Sequence, residues 1–248
     1  MLHSLALAAL GTGFIFLMTT LGAATVFFFA GEMNTRLRRA MMGFAAGVML
    51  AASMWSMIIP AIERAESAGA TLPWLPAALG IAAGAAFLML LDGVIARLGF
   101  AKDGTSPLLI TAITVHNIPE GMAVGLAFAL AAHGEGMAAA SALALGIGIQ
   151  NLPEGAAVSL PLRQLGMKRA RAFSMGVLSG AVEPLFGVLA VLAVAGAQGA
   201  MPWLLGFAAG SMLYVSAHEL IPEATGRTGS CAFVGGFLIM LVLDVALG

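Results

Sequence analysis

Charge is what this chain has least of. Asp, Glu, Lys and Arg make up 9% of its 248 residues, where a soluble domain carries about a quarter. With 60% hydrophobic residues and a mean hydropathy of +1.01, a soluble globular domain is excluded. The net charge of −1 leaves no basic surface for nucleic acid. A single cysteine, Cys231, excludes an internal disulfide and any multi-cysteine metal site. The long apolar runs do not alternate with period two, which excludes a membrane barrel and leaves helices as the only way to satisfy the backbone in lipid. What is abundant is glycine, 32 residues, which suits close helix packing in a bilayer.

A membrane span needs about 20 apolar residues. Eight such segments are read at 3–30, 40–62, 73–98, 107–132, 137–163, 171–197, 201–222 and 229–247. The first lacks a basic start and is too long for a signal sequence, so it reads as a retained helix. Ten of the eleven basic residues fall in odd-numbered loops, and Arg64 alone falls in an even one. The positive-inside rule then puts both termini outside the cytoplasm. The expected fold is an all-α polytopic membrane protein of one domain, residues 1–248, in the bacterial cytoplasmic (inner) membrane.

Two internal repeats organise the chain. Gly43-Phe-Ala-Ala-Gly-Val-Met-Leu50 returns as Gly206-Phe-Ala-Ala-Gly-Ser-Met-Leu213, seven of eight identical. His116-Asn-Ile-Pro-Glu-Gly121 returns as Gln150-Asn-Leu-Pro-Glu-Gly155, 34 residues on. The first pair opens the second and seventh segments, which run in opposite directions; the other occupies the fourth and fifth. The pattern predicts a 3+2+3 inverted repeat, an arrangement of secondary transporters with a site near the bilayer midplane.

The paired motifs put ionisable groups where they are costly, so function is the default reading. At 1.5 Å per residue, Asn117, Glu120, Asn151, Glu154 and Glu183 all lie roughly 14–20 Å from the cytoplasmic side. His116 and Gln150 each stand four residues before a glutamate, on the same helix face. Pro119 and Pro153 cannot donate to the carbonyls four residues back, and the glycine after each glutamate lets a neighbouring helix approach. Three buried carboxylates with no lysine or arginine at their depth need protons or a cation. Carboxylates, one imidazole and amide oxygens suit a borderline divalent ion such as Zn²⁺, Fe²⁺ or Mn²⁺. Met49, about 14 Å along the second segment, reaches the same depth. His218 and Glu219, with Glu223 one turn on, read as an exit path near the cytoplasm. Asp244, near the outer face, reads as an entrance.

These residues carry a family resemblance. The His116–Gly121 and Gln150–Gly155 motifs, the run Ser179-Gly-Ala-Val-Glu-Pro184 and His218-Glu219 resemble the ZIP (Zrt-/Irt-like) metal transporters, particularly the bacterial GufA-like subgroup. The resemblance covers essentially the whole chain. It implies eight helices, uptake of zinc and related divalents (Fe²⁺, Mn²⁺, Cd²⁺) into the cytoplasm, and no enzymatic activity. It also implies one or two bound ions. One position would use His116, Glu120, Gln150 and Glu154, with Met49 as a further candidate; the other would use Asn117, Glu120, Asn151, Glu154 and Glu183. An elevator-like shift of the first, fourth, fifth and sixth helices and a homodimer are further implications. Some relatives carry aspartate at the place of Asn151. Two other readings of the residues are an intramembrane metalloenzyme and a proton-conducting membrane protein.

Overall fold

The computed structural model describes residues 2–28, 34–97, 107–132, 136–196 and 198–247; within these, the side chains of 95–96, 107–113, 115–116, 196, 198 and 247 lie outside the description. Among the described residues all regular structure is helical. In chain order the helices are α1 (Leu2–Ala24), α2 (Thr35–Ala52), α3 (Ile59–Ser67), α4 (Trp74–Arg97), α5 (Pro107–Ala131), α6 (Met137–Gln164), α7 (Arg169–Gly180), α8 (Val182–Gly196), α9 (Met201–Val215), α10 (Ile221–Glu223) and α11 (Gly226–Leu247). Among the described residues, six stretches are long and apolar enough to cross a membrane: Leu2–Phe27, Thr35–Ser67, Trp74–Val94, Arg169–Ala195, Met201–Glu223 and Gly226–Ala246. The chain is a multi-pass membrane protein. Helix α6 has 28 residues, but its own Gln150, Asn151 and Glu154 dilute its apolar run. Helix α5, with 25 residues, is apolar over Asn117–Ala131.

Three segments differ from their sequence outline. The second helix begins at Thr35, upstream of its apolar run, because the Asn34 side chain caps it by accepting from the Arg36 amide at 2.8 Å. The sixth segment is not one helix but α7 and α8, parted at Ala181. Pro184 explains the break: its ring crowds the Gly180 carbonyl and it offers no N–H. The second and seventh segments each contain a wider π-helical turn, Ser53–Ile58 and Ser216–Leu220. Both turns begin ten residues after the first glycine of their repeat copy, Gly43 to Ser53 and Gly206 to Ser216. Both run into a proline, Pro60 and Pro222, whose clash with the preceding turn a widened turn relieves.

The glycines of the long repeat are contact points. A Cβ on Gly47 would stand 2.0 Å from the Phe233 carbonyl of α11, and one on Gly210 would stand 2.1 Å from the Ile81 carbonyl of α4. Backbone therefore meets backbone, α2 on α11 and α9 on α4, and these two pairs pack most extensively among the described residues. Helix α1 packs on α6, and α5 on α8. The helices thus fall into two sets. One is α1, α5, α6, α7 and α8; the other is α2, α3, α4, α9 and α11. Contacts of α5 with α9, and of α6 with α2 and α11, join them.

Candidate metal centre

The two short motifs meet where α5 and α6 face each other. Asn117, Glu120, Gln150 and Asn151 are wholly buried, as is Glu183 on α8. Gln150 Nε2 donates to Glu120 Oε1 at 2.6 Å, tying the motifs directly. Asn151 Nδ2 donates to Glu183 Oε1 at 3.1 Å, tying α6 to α8. Asn117 Nδ2 donates to the Ser179 carbonyl at 3.0 Å, just before the break between α7 and α8. The glycine of each motif sets these distances. A Cβ on Gly121 would stand 2.2 Å from the Glu183 carbonyl, and one on Gly155 would stand 2.0 Å from the Thr19 carbonyl. Only a glycine lets the backbone that carries Glu183, or Thr19, come this close.

Thr19 is a member of the site that the sequence reading passed over. It is buried on α1, donates to Glu183 Oε1 at 2.8 Å and accepts from Asn151 Nδ2 at 3.1 Å. The small residues Ala8, Gly11, Thr12, Thr19 and Gly22 share one face of α1 at helical spacing and are buried there, which marks the packed face but not the partner that Thr19 meets on it.

The hydrogen bonds use the donors and leave acceptors over. Asn117 Oδ1, Glu120 Oε2, Gln150 Oε1, Asn151 Oδ1 and Glu183 Oε2 are all buried with no hydrogen-bond partner. An unpaired buried polar atom is costly and needs an explanation. Five unpaired oxygens around buried carboxylates, with no lysine or arginine on these helix faces, are what a cation would satisfy. Among the described residues no three side chains of His, Cys, Asp or Glu cluster closely enough to hold a metal by themselves. The convergent set here mixes carboxylates with amide oxygens, and the side chain of His116 lies outside the described residues.

A cavity of about 400 Å³ opens beside this cluster. Met49, Glu120 and Glu154 line it with Pro153, and so do Arg38, Glu219 and Glu223. Arg38 and Glu223 pair at 3.2 Å and are about half exposed, which marks the open end. Arg38 is in the first turn of α2 and Met49 is eleven residues further on, roughly 16 Å along the helix. The cavity thus runs along α2, between the two helix sets, from solvent to buried Glu120 and half-buried Glu154. Met49 is itself buried.

The remaining candidates fall in different places. Glu219 and Glu223 line the cavity, but His218 is exposed and stacks on Tyr214, with ring centroids 5.2 Å apart. Glu219 lines the cavity while His218 lies on Tyr214, so the pair does not face one path together. Asp244, at the far end of α11, accepts from Ser56 Oγ at 2.7 Å. Its second oxygen is buried without a partner. Two further glutamates, Glu63 and Glu66 on α3, are exposed.

This geometry can be set beside known proteins. The family model described as ZIP Zinc transporter matches residues 101–244, more than half the chain. The chain belongs to the ZIP family. "Zinc transporter ZIP11" of Homo sapiens is 37% identical over 97% of this chain and 97% of its own length. "Zinc transporter GufA" of Myxococcus xanthus is 36% identical over 93% and 94%. "Zinc transporter ZIPB" of Bordetella bronchiseptica is 39% identical over 97% of this chain and 81% of its own length. The GufA-like affiliation read from the motifs agrees with these matches. The ZIP relatives are named as transporters and not as enzymes.

Proposed function

We propose that this chain carries zinc across the bacterial cytoplasmic membrane into the cytoplasm, holding it near mid-membrane between α5, α6 and α8. The observation that carries the reading is the set of five partnerless buried oxygens on Asn117, Glu120, Gln150, Asn151 and Glu183. Their chemistry, carboxylate and amide oxygen, suits a divalent ion that must be held and then released. A thiolate site would hold zinc too tightly. Glu120 and Glu154 stand at the inner end of the cavity and would hand the ion to it; Glu219 and Glu223 would draw it out. Fe²⁺, Mn²⁺ and Cd²⁺ are further candidate substrates, with one or two ions bound at a time.

Direction follows from charge. The cavity opens at the end of the bundle that carries Arg38, and by the sequence outline ten of the eleven basic residues belong to loops on that same side. Cytoplasmic loops are enriched in lysine and arginine, so the cavity faces inward and both termini face outward. The eight-helix, 3+2+3 inverted repeat is supported by the matched π-helical turns and by the exchange of partners, α2 with α11 and α9 with α4. The division into two helix sets supports a movement of α1, α5, α6, α7 and α8 against the others. Asp244 would meet ions at the outer end. A homodimer in the membrane completes the proposal.

The test is zinc uptake into proteoliposomes holding the purified protein and an internal fluorescent zinc reporter, for wild type and Glu154→Ala. Saturable uptake that the substitution abolishes is expected. Uptake unchanged in Glu154→Ala would remove the site from the path, and no uptake by the wild type would refute transport.

A further inference from the structure

Glu183 has its two oxygens in unequal surroundings. Oε1 receives the Thr19 hydroxyl at 2.8 Å and the Asn151 amide at 3.1 Å. Oε2 is equally buried and receives nothing. The Thr19 hydroxyl has one hydrogen and two acceptors in reach, Glu183 Oε1 at 2.8 Å and the Ile15 carbonyl at 3.2 Å. The shorter contact, to the carboxyl oxygen of Glu183, wins, and it strengthens further once a bound cation holds that group ionised. Asn151 also donates to Thr19 Oγ1 at 3.1 Å, so the hydroxyl is turned toward Glu183 by its own donor. The threonine sits on α1, whose backbone is locked against α6 at Gly155 and cannot drift away.

We propose that Thr19 is a positioning residue that makes Glu183 a one-oxygen ligand and thereby sets ion selectivity. The inference rests on the metal-carrier reading of this site. With Oε1 occupied, only Oε2 is offered to the ion. A small ion with four ligands, such as Zn²⁺, takes one oxygen per carboxylate. A larger ion with a higher coordination number accepts both oxygens of a carboxylate, and Thr19 denies it the second. Removing the hydroxyl leaves Oε1 held by the Asn151 amide alone, which opens one of its two acceptor positions to the ion and favours the larger one.

The experiment compares full-length wild type, Thr19→Val, which keeps the shape, and Thr19→Ser, which keeps the hydroxyl. Zn²⁺ and Cd²⁺ affinities are measured in detergent by competition with a chromophoric chelator, and initial uptake rates in proteoliposomes. Thr19→Val is expected to move the Cd²⁺/Zn²⁺ affinity ratio toward Cd²⁺ by roughly tenfold, the scale on which groups that orient metal ligands act, while Thr19→Ser stays within about twofold of wild type. The KM ratio for uptake should follow. An unchanged ratio in Thr19→Val overturns the proposal, and so does an equal shift in Thr19→Ser, which would be a packing effect. If Thr19→Val does not reach the membrane, Thr19→Ala is judged by the same ratio. A wild type that binds both ions and transports neither would refute the transport reading and leave the affinity ratio to decide on Thr19. Binding of neither ion refutes both.

Discussion

Gly155→Ala adds one methyl group, and the structure says where it goes. The new Cβ would stand 2.0 Å from the Thr19 carbonyl oxygen and 2.8 Å from the Ala23 nitrogen. Both are backbone atoms of α1, so no side-chain rotation relieves the clash. Cβ contacts essentially never fall below 3.0 Å, so α1 must retreat from α6 by about 1 Å. That retreat stretches the Asn151–Thr19 hydrogen bond from 3.1 Å to about 4 Å, which is no longer a hydrogen bond. Overpacking of this kind costs about 1–3 kcal/mol, and the lost bond about 0.5–1.5 kcal/mol. The gain from replacing a helical glycine, about 0.5–1 kcal/mol, offsets part of it. The net loss is about 0.5–4 kcal/mol, or roughly 1–16 °C in melting temperature for a chain of this size. Gly13→Ala is the control, since a Cβ there meets nothing within 4 Å on the same helix α1. Thermal unfolding of both variants in detergent, without metal, reads the difference. Gly155→Ala melting together with Gly13→Ala, with zinc affinity intact, would refute the account of how α1 is held.

Glu120→Gln should abolish zinc uptake yet melt no lower than wild type in the absence of metal, because it removes a buried charge whose Oε2 has no partner; a lower melting point together with retained uptake would mean the carboxylate is structural. Glu219→Ala should slow uptake, since Glu219 lines the cavity, whereas His218→Ala should leave it within about twofold because a surface side chain away from the path contributes little; initial rates in proteoliposomes separate the two. Zinc at a hundred times its dissociation constant should stabilise wild type by about 2.7 kcal/mol and Glu120→Gln hardly at all, read as a shift in melting temperature on adding or chelating zinc.

The rarity of polar residues in apolar helices made part of this site readable in advance. Asn117, Glu120, Gln150, Asn151 and Glu183 stand out in the sequence, and all five are buried with hydrogen bonds between motifs or helices. The motif glycines were equally readable, since a close helix approach needs them. Thr19 was not. A threonine inside a helix commonly satisfies itself on the carbonyl four residues back, as Thr12 does on Ala8 at 2.7 Å. Nothing in the local sequence says that Thr19, besides facing the Ile15 carbonyl, also reaches across to α8. His218 and Glu219 were read as a pair because they are adjacent, but helical geometry turns one to the cavity and the other to Tyr214. The break at Ala181 and the two widened turns were hidden for a related reason. Prolines 60, 184 and 222 mark strain, but whether a helix breaks, kinks or widens depends on the neighbours that pack against it.

The central claim is that the transported ion sits among the partnerless oxygens of α5, α6 and α8. Diffraction at the zinc absorption edge, from crystals of the full chain grown with zinc, locates the ion without assuming transport. The account predicts an anomalous peak inside the bundle, at about 2.0–2.2 Å from carboxylate or amide oxygens of Glu120 and its neighbours. A peak only at exposed side chains such as Glu63 and Glu66, with none among the five oxygens, would contradict it.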